Sequence, residues 1–368
     1  MKVGEKHYRS LWADEAQGVV HIIDQVRLPH VFETATIAST EAMADAIRGM
    51  HVRGAPLIGV AAAFGIALAV ARDPSDESIS RASALLRKTR PTAVNLAWAI
   101  GRMRERLAGA KLSERLVAAW TEAQAIAEED VALNEAIGRH GLTLLERQHA
   151  AKKRPINILT HCNAGWIATM DWGTVTAPIF MAHDHGIPVH VWVDETRPRN
   201  QGLLTAWELA GHGVPHTLVT DNAGGHLMQR GMVDLVMVGA DRVTRRGDVC
   251  NKIGTYLKAV AAHASNVPFY AAVPTPTIDW GIEDALTEIP IEERDADEVR
   301  IVRGLDSEGR FTQVAIAPRS TPVANPAFDV TPAQYVTAII TEKGIVGATE
   351  TDLLGFWPRS KQNKAYLT

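Results

Sequence analysis

Two cysteines, Cys162 and Cys250, are all that 368 residues contain, too few for a disulfide framework and in keeping with a reducing compartment. Any special role for them is thiol chemistry, and polar neighbours at both point to a cleft rather than a staple. An excess of one charge is missing as well: 38 Lys and Arg stand against 42 Asp and Glu. No strong net field recruits nucleic acid or an anionic membrane surface, so small molecules are the expected partners. Near the start, Lys2, Glu5, Lys6, Arg9 and Asp14 interrupt the apolar core that a secretory signal would need, and a cytoplasmic location is expected. The longest small, apolar run, Ala55 to Ala71, holds Pro56, Gly59 and Gly65. It lies at the short limit for a bilayer core of about 30 Å and reads as a buried helix, with no membrane partner.

What is present divides into two rhythms. From Thr40 to about Glu146 apolar residues recur at helical spacing, after short apolar stretches such as Val19 to Ile23 that suit a strand. The basic, proline-containing joint Lys152–Pro155 then introduces β-branched runs: Ile156 to Thr160, Val189 to Val193, His216 to Thr220, Leu235 to Val238 and Pro268 to Val273. Helix-compatible segments separate them, as in a parallel sheet covered on both faces. The expected class is α/β: a mostly helical N-terminal domain over residues 1–150, then a Rossmann-like parallel-sheet domain over 151–350. Thr331 to Lys343 reads as a helix, and 351–368, with Trp357 and Pro358, as a C-terminal extension.

In an open parallel sheet, ligands gather beyond the carboxyl ends of the strands. Four of the runs end there in polar, glycine-containing turns: His161-Cys162-Asn163-Ala164-Gly165, Asp194 to Gly202, Asp221 to Gly225, and Gly239-Ala240-Asp241-Arg242. Any one of them serves as an ordinary turn or helix cap. Four on one rim bring a thiol, carboxylates, arginines and amides together, which suits a polar anionic ligand. None supplies the Gly-x-Gly-x-x-Gly turn of a dinucleotide site, and there is no Walker phosphate loop. His183-Asp184-His185 before Gly186 reads as a helix C-terminus and not as a metal site, because positions two apart on a helix diverge by about 200°.

Several stretches form an ordered set: Val52-Arg53-Gly54-Ala55-Pro56, Arg90-Pro91-Thr92-Ala93-Val94-Asn95-Leu96, Thr160 to Gly165, Asp194 to Arg199, Gly239 to Arg242, and Asn251 to Tyr256. This set resembles the methylthioribose-1-phosphate isomerases, from about Leu28 to Val346. The resemblance implies Cys162 and Asp241 as the catalytic pair. It further implies substrate contacts at Arg53, Gly54, Ala55, Arg90, Gln201, Asn251 and Lys252, no required cofactor, no metal, and a homodimer. The substrate would be a sugar phosphate, converted from aldose 1-phosphate to ketose 1-phosphate in methionine salvage.

The residue chemistry is compatible with that expectation. Arg53, Arg90 and Lys252 suit a phosphate, guanidinium as a fork of donors and ammonium as a point charge. Phosphate on the anomeric oxygen blocks ordinary ring opening, so an acid must assist C–O cleavage. Asp241 follows an apolar run whose burial would favour its protonated form. Cys162 is expected before a helix N-terminus, as thiolate or proton carrier. Trp166, Trp172, Asn222 to Gly225 and Pro274 to Thr277 depart from the family wording and bear on the pocket for C5 of the sugar. Isomerases of 5-deoxyribose 1-phosphate or ribose 1,5-bisphosphate are therefore enzymatic alternatives. A non-catalytic regulatory protein related to translation initiation exchange-factor subunits is the alternative from another class.

Overall fold

The computed structural model describes residues 1–90 and 93–356. Pro91 and Thr92 of the arginine motif, and the extension from Trp357 onward, lie outside the described residues. The chain forms two compact units: residues 1–135 with 166–173, and residues 136–165 with 174 onward. They part within one long helix, which ends at the Lys152–Pro155 joint.

The first unit begins with a small hairpin, β1 (Lys2–Val3) and β2 (Lys6–His7). An antiparallel sheet follows, of β3 (Leu11–Asp14), β4 (Val19–Ile23) and β5 (Thr34–Ile37). Then come α1 (Thr40–Arg48), α2 (Ala55–Arg72), α3 (Asp76–Arg87), α4 (Val94–Ala108) and the start of α5 (Arg115–Lys152). Ser39 and Ser75 begin α1 and α3 by accepting the backbone N–H of Ala42 and Ser78, which satisfies donors left over in the first turn. Helix α2 is 89% buried over its 18-residue apolar window, as expected of a core helix. Its small residues let neighbours in close: a Cβ at Gly59 would stand 2.8 Å from the Asn95 carbonyl on α4. Each Leu, Ile or Phe enclosed around it contributes about 1.5–3 kcal/mol. In this unit the buried Asp130 of α5 accepts the Met170 N–H at 2.7 Å, and burial pushes its carboxyl up to about 7.

The second unit is built on a seven-stranded sheet. In chain order it runs β6 (Ile156–Thr160), α6 (Thr176–Asp184), β7 (Val189–Asp194), α7 (Gly202–His212), β8 (His216–Val219), α8 (Ala223–Gln229) and β9 (Leu235–Val238). Next are β10 (Arg242–Thr244), β11 (Val249–Lys252), α9 (Thr255–Ala264), β12 (Phe269–Ala272) and β13 (Ile278–Asp279). The hairpin β14 (Ile301–Leu305) and β15 (Phe311–Ala315) precedes β16 (Phe328–Thr331), β17 (Ala338–Thr341) and β18 (Gly344–Val346). The large sheet has the order β18-β17-β12-β9-β6-β7-β8, parallel except for β18, so the fold is a mixed α/β one. A second sheet, β13-β10-β11-β16, continues from β9.

One element differs from expectation. Thr331 to Lys343 is not one helix: Thr331 ends β16, a single 3-10 turn covers Ala333–Tyr335, and β17 is the sixth parallel strand. Ala338-Ile339-Ile340-Thr341 is fully buried, which an apolar, largely β-branched run of four can satisfy only between covered faces. Pro332 further discourages a helix across the junction.

Candidate active site

Reading β8-β7-β6-β9-β12-β17 by order of appearance gives 3-2-1-4-5-6, and the chain reverses direction between β6 and β9. Crevices form at such a switch point, because the two outgoing loops turn opposite ways and leave space above the adjoining strand ends. The loop after β6 carries Cys162 and the loop after β9 carries Asp241. These strands are hydrogen-bonded neighbours through Ile158↔Leu235 and Leu159↔Val236. Both residues are half-buried.

Cys162 does not precede a helix N-terminus; a short 3-10 turn at Trp166–Ala168 comes next, and α6 starts only at Thr176. Instead the residue stands in the left-handed region, φ +69°, a conformation that costs a non-glycine residue on the order of 1–3 kcal/mol. Two threonines hold it there. Thr196 Oγ1 accepts the Cys162 N–H at 2.8 Å, and Thr205 Oγ1 donates to the Cys162 carbonyl at 2.8 Å. Thr196 is itself left-handed, φ +64°, with its N–H given to Asp221 Oδ1 at 2.8 Å. Asn163 Nδ2 donates to Thr205 Oγ1 at 3.1 Å.

Asp241 is fixed through its backbone, the N–H donating to the Cys250 carbonyl at 3.0 Å. Its neighbour Arg242 reaches Asp279 at 3.0 Å. Along β11 the buried Asn251 donates to Thr255 Oγ1 at 3.0 Å, and the buried Lys252 places Nζ 4.8 Å from the centre of the Phe328 ring. Gln201, beyond β7, is buried, and its Oε1 has no hydrogen-bond partner among the described residues. The second unit thus brings Cys162, Asp241, Gln201, Asn251 and Lys252 onto one sheet end and the strands continuing from it.

The other expected residues belong to the first unit. Gly54 caps α2 with φ +98°, and a Cβ there would stand 2.3 Å from the Ala168 carbonyl, so only glycine fits. Ala55 opens the helix, which gives the small-residue N-terminus anticipated after Arg53. Arg53 and Arg90 are both buried, and Arg90 Nη1 lies 3.3 Å from Met50 Sδ. Trp166 is fully buried, its carbonyl accepting from Ser10 Oγ at 2.9 Å.

Sequence reasoning assigned no role to a charged knot beneath the rim. His161 Nδ1 is 3.0 Å from Asp194 Oδ2, and Lys258 Nζ is 3.2 Å from the same oxygen. His161, Asp194 and Lys258 are all nearly inaccessible. Asp329 stands close by and accepts the N–H groups of Gly254 and Tyr256, while burial pushes its carboxyl up. A signal for Lys258 existed: it shares the inward stripe of α9 with Thr255, Ala259 and Ala262, where a lysine is out of place unless paired. His161, Asp194 and Asp221 also offer ligand atoms within 4.8 Å of one another, a geometry open to a metal ion. Lys258 Nζ already supplies positive charge to the shared Asp194 oxygen, while Asp194 Oδ1 is buried with no hydrogen-bond partner among the described residues.

A family model described as the initiation factor 2 subunit family matches residues 51–348. The methylthioribose-1-phosphate isomerase of Gluconobacter oxydans is 58% identical over 371 residues, covering 100% of this chain and 100% of that protein. That of Brucella anthropi is 58% identical over 362 residues, covering 97% and 99%. Among solved structures, the 5-methylthioribose 1-phosphate isomerase from Pyrococcus horikoshii OT3 is similar with TM-score 0.81 at 39% identity, covering 95% of this chain and 96% of that one. The translation initiation factor eIF-2B, subunit delta, from A. fulgidus is similar with TM-score 0.76 at 40% identity, covering 95% and 99%.

Proposed function

The chain belongs to the initiation factor 2 subunit family, and from that premise we propose Cys162 and Asp241 as its catalytic pair. It is an aldose–ketose isomerase of methionine salvage, converting 5-methylthioribose 1-phosphate to 5-methylthioribulose 1-phosphate. The observation that carries this activity is 58% identity to the Gluconobacter enzyme over the whole length of both chains. The placement of the pair rests on the switch point between β6 and β9, from which both loops emerge.

In this reading Asp241 gives its proton to the ring oxygen as the C1–O bond breaks, leaving positive charge at C1 shared with the phosphate-bearing oxygen. Hydrogen then leaves C2 and arrives at C1. By one route the Cys162 thiolate removes the C2 proton to give an enol and returns it to C1; by the other the hydrogen moves directly as hydride. Either way the C2 hydroxyl loses its proton to the Asp241 carboxylate and becomes the ketone, which restores both groups. Arg53, Arg90 and Lys252 hold the phosphate, and Gly54, Ala55, Gln201, Asn251 and Lys252 complete the substrate contacts, an assignment supported by motif position and cation chemistry. The finer architecture we read as a mostly helical N-terminal domain over 1–150, a Rossmann-like catalytic domain over 151–350 and an extension over 351–368, in a cytoplasmic homodimer.

Asp241→Asn keeps the shape and removes the exchangeable acid, so turnover of 5-methylthioribose 1-phosphate should fall by about 10²–10⁴. Retained turnover would remove Asp241 from the mechanism. Substrate carrying deuterium at C2 separates the routes: wash-out to solvent marks proton transfer, and full retention at C1 marks hydride migration.

A further inference from the structure

We propose that Thr196 and Thr205 are positioning residues for Cys162: two buried hydroxyls that together hold its backbone N–H and carbonyl, and so fix the direction in which its side chain leaves the backbone. That role rests on the reading of Cys162 as a catalytic residue and deepens it.

Neither hydroxyl has a choice of part to play. A threonine hydroxyl has one hydrogen to donate and lone pairs with which to accept. Thr196 Oγ1 donates its hydrogen to the Asp194 carbonyl at 3.0 Å, so toward the Cys162 N–H, at 2.8 Å, it is the acceptor. Thr205 Oγ1 does the reverse, donating its hydrogen to the Cys162 carbonyl at 2.8 Å and accepting from Asn163 Nδ2 at 3.1 Å. Relative exposures of 0% for Thr196 and 2% for Thr205 leave bulk water no access to replace either one. Both main-chain groups of residue 162 are thus held by side chains that lie 34 and 43 positions further along the chain.

The two grips are themselves anchored. Asp221 accepts the Thr196 N–H on Oδ1 and the Arg197 N–H on Oδ2, both at 2.8 Å, which secures Thr196 at φ +64°, a value seldom adopted by a β-branched residue. Thr205 is carried by α7, and a Cβ on Gly165 would collide with Glu208 Oε2 about one turn further along that helix. Residues 162 and 165 therefore both lie against α7. At φ +69° Cys162 is held against its own preference, and such a conformation persists only where the surroundings over-determine it. Without the clip the backbone can return to negative φ, which turns the Cα–Cβ bond of Cys162 away from its present direction. Misplacing a reacting group by about 1 Å costs on the order of 10²-fold in rate.

Thr205→Val keeps the shape and removes the hydroxyl, and Thr205→Ser restores it. In the valine variant, turnover of 5-methylthioribose 1-phosphate should fall by about 10–100-fold while KM stays within about threefold, the pattern of lost positioning and not lost binding. The serine variant should return to within about threefold of wild type. Wild-type turnover in folded Thr205→Val, a loss confined to KM, or a serine variant no better than the valine one overturns the proposal. Should Thr205→Val not fold, Thr196→Val and Thr196→Ser decide by the same outcomes at the other grip. Cys162→Ser tells the two readings apart. If it is inactive while Thr205→Val keeps wild-type turnover, the positioning role alone is overturned; if it is fully active, the catalytic reading of Cys162 falls and the positioning role falls with it.

Discussion

The two cysteines occupy regions built to opposite ends. Cys250 lies in a regular strand, paired with Arg242 on one side and Val330 on the other, among Ile282, Ala285, Ile289 and Phe328. Burial first, and then the charge of Asp241, push its thiol up to about 12, so it stays protonated and inert near neutral pH. The polar sequence around it suggested a cleft; the structure instead turns that side chain into the core. Cys162 sits half-buried in a left-handed backbone gripped by two threonines. The same side chain is enclosed by a regular sheet at one position and left half-buried by an irregular loop at the other, so the backbone, more than the residue type, decides which thiol is accessible.

The sharpest test of that contrast exchanges one atom or removes it. Cys162→Ser should lower turnover by about 10²–10⁴ while KM and far-UV circular dichroism stay close to wild type. Cys250→Ala should leave turnover within about twofold and cost on the order of 1 kcal/mol in denaturant unfolding. Equal losses of turnover in the two variants would erase the distinction.

A smaller effect separates preparing the thiol from holding the substrate. Arg90→Met should raise KM by roughly 10–100-fold with little change in turnover, corresponding to about 1.5–3 kcal/mol for one charge-assisted hydrogen bond. Steady-state kinetics matching wild type would return Arg90 to a structural role.

The carboxylates repeat the comparison at the smallest scale. Asp130 is buried and structural, Asp241 half-buried on the rim. With its folded value raised to about 7 from an ordinary 3.8, Asp130 binds its proton more tightly folded than unfolded. Its contribution to stability is therefore full below about pH 4 and is lost as pH rises through 7. Wild-type Tm should decline by several degrees more than that of Asp130→Asn between pH 5 and 8. Parallel pH profiles for the two would show that Asp130 does not titrate in that window.

Much of this was legible in the sequence where the deciding forces are local. Ile156–Thr160 and Leu235–Val238 match their strands residue for residue, because β-branched runs closed by Gly, Asn or Asp leave little choice. Helices α1 and α2 likewise begin at Thr40 and Ala55, where the helical spacing and the small apolar run begin. What escaped depends on partners distant in sequence. β17 becomes a strand because β12 is waiting beside it, and Lys258 becomes acceptable in a buried stripe because Asp194, 64 positions earlier, meets its ammonium. The left-handed state of Cys162 is invisible for the same reason: its stabilisers, Thr196 and Thr205, both follow another strand, β7.

The sharing of Asp194 by His161 and Lys258 has a further meaning for how such a sequence can drift. Losing Asp194 or Lys258 alone strands the buried charge of the other, at about 3–5 kcal/mol, whereas exchanging all three together for apolar residues can be neutral or stabilising. Either single step thus crosses a valley in folding stability, and a concerted replacement avoids it.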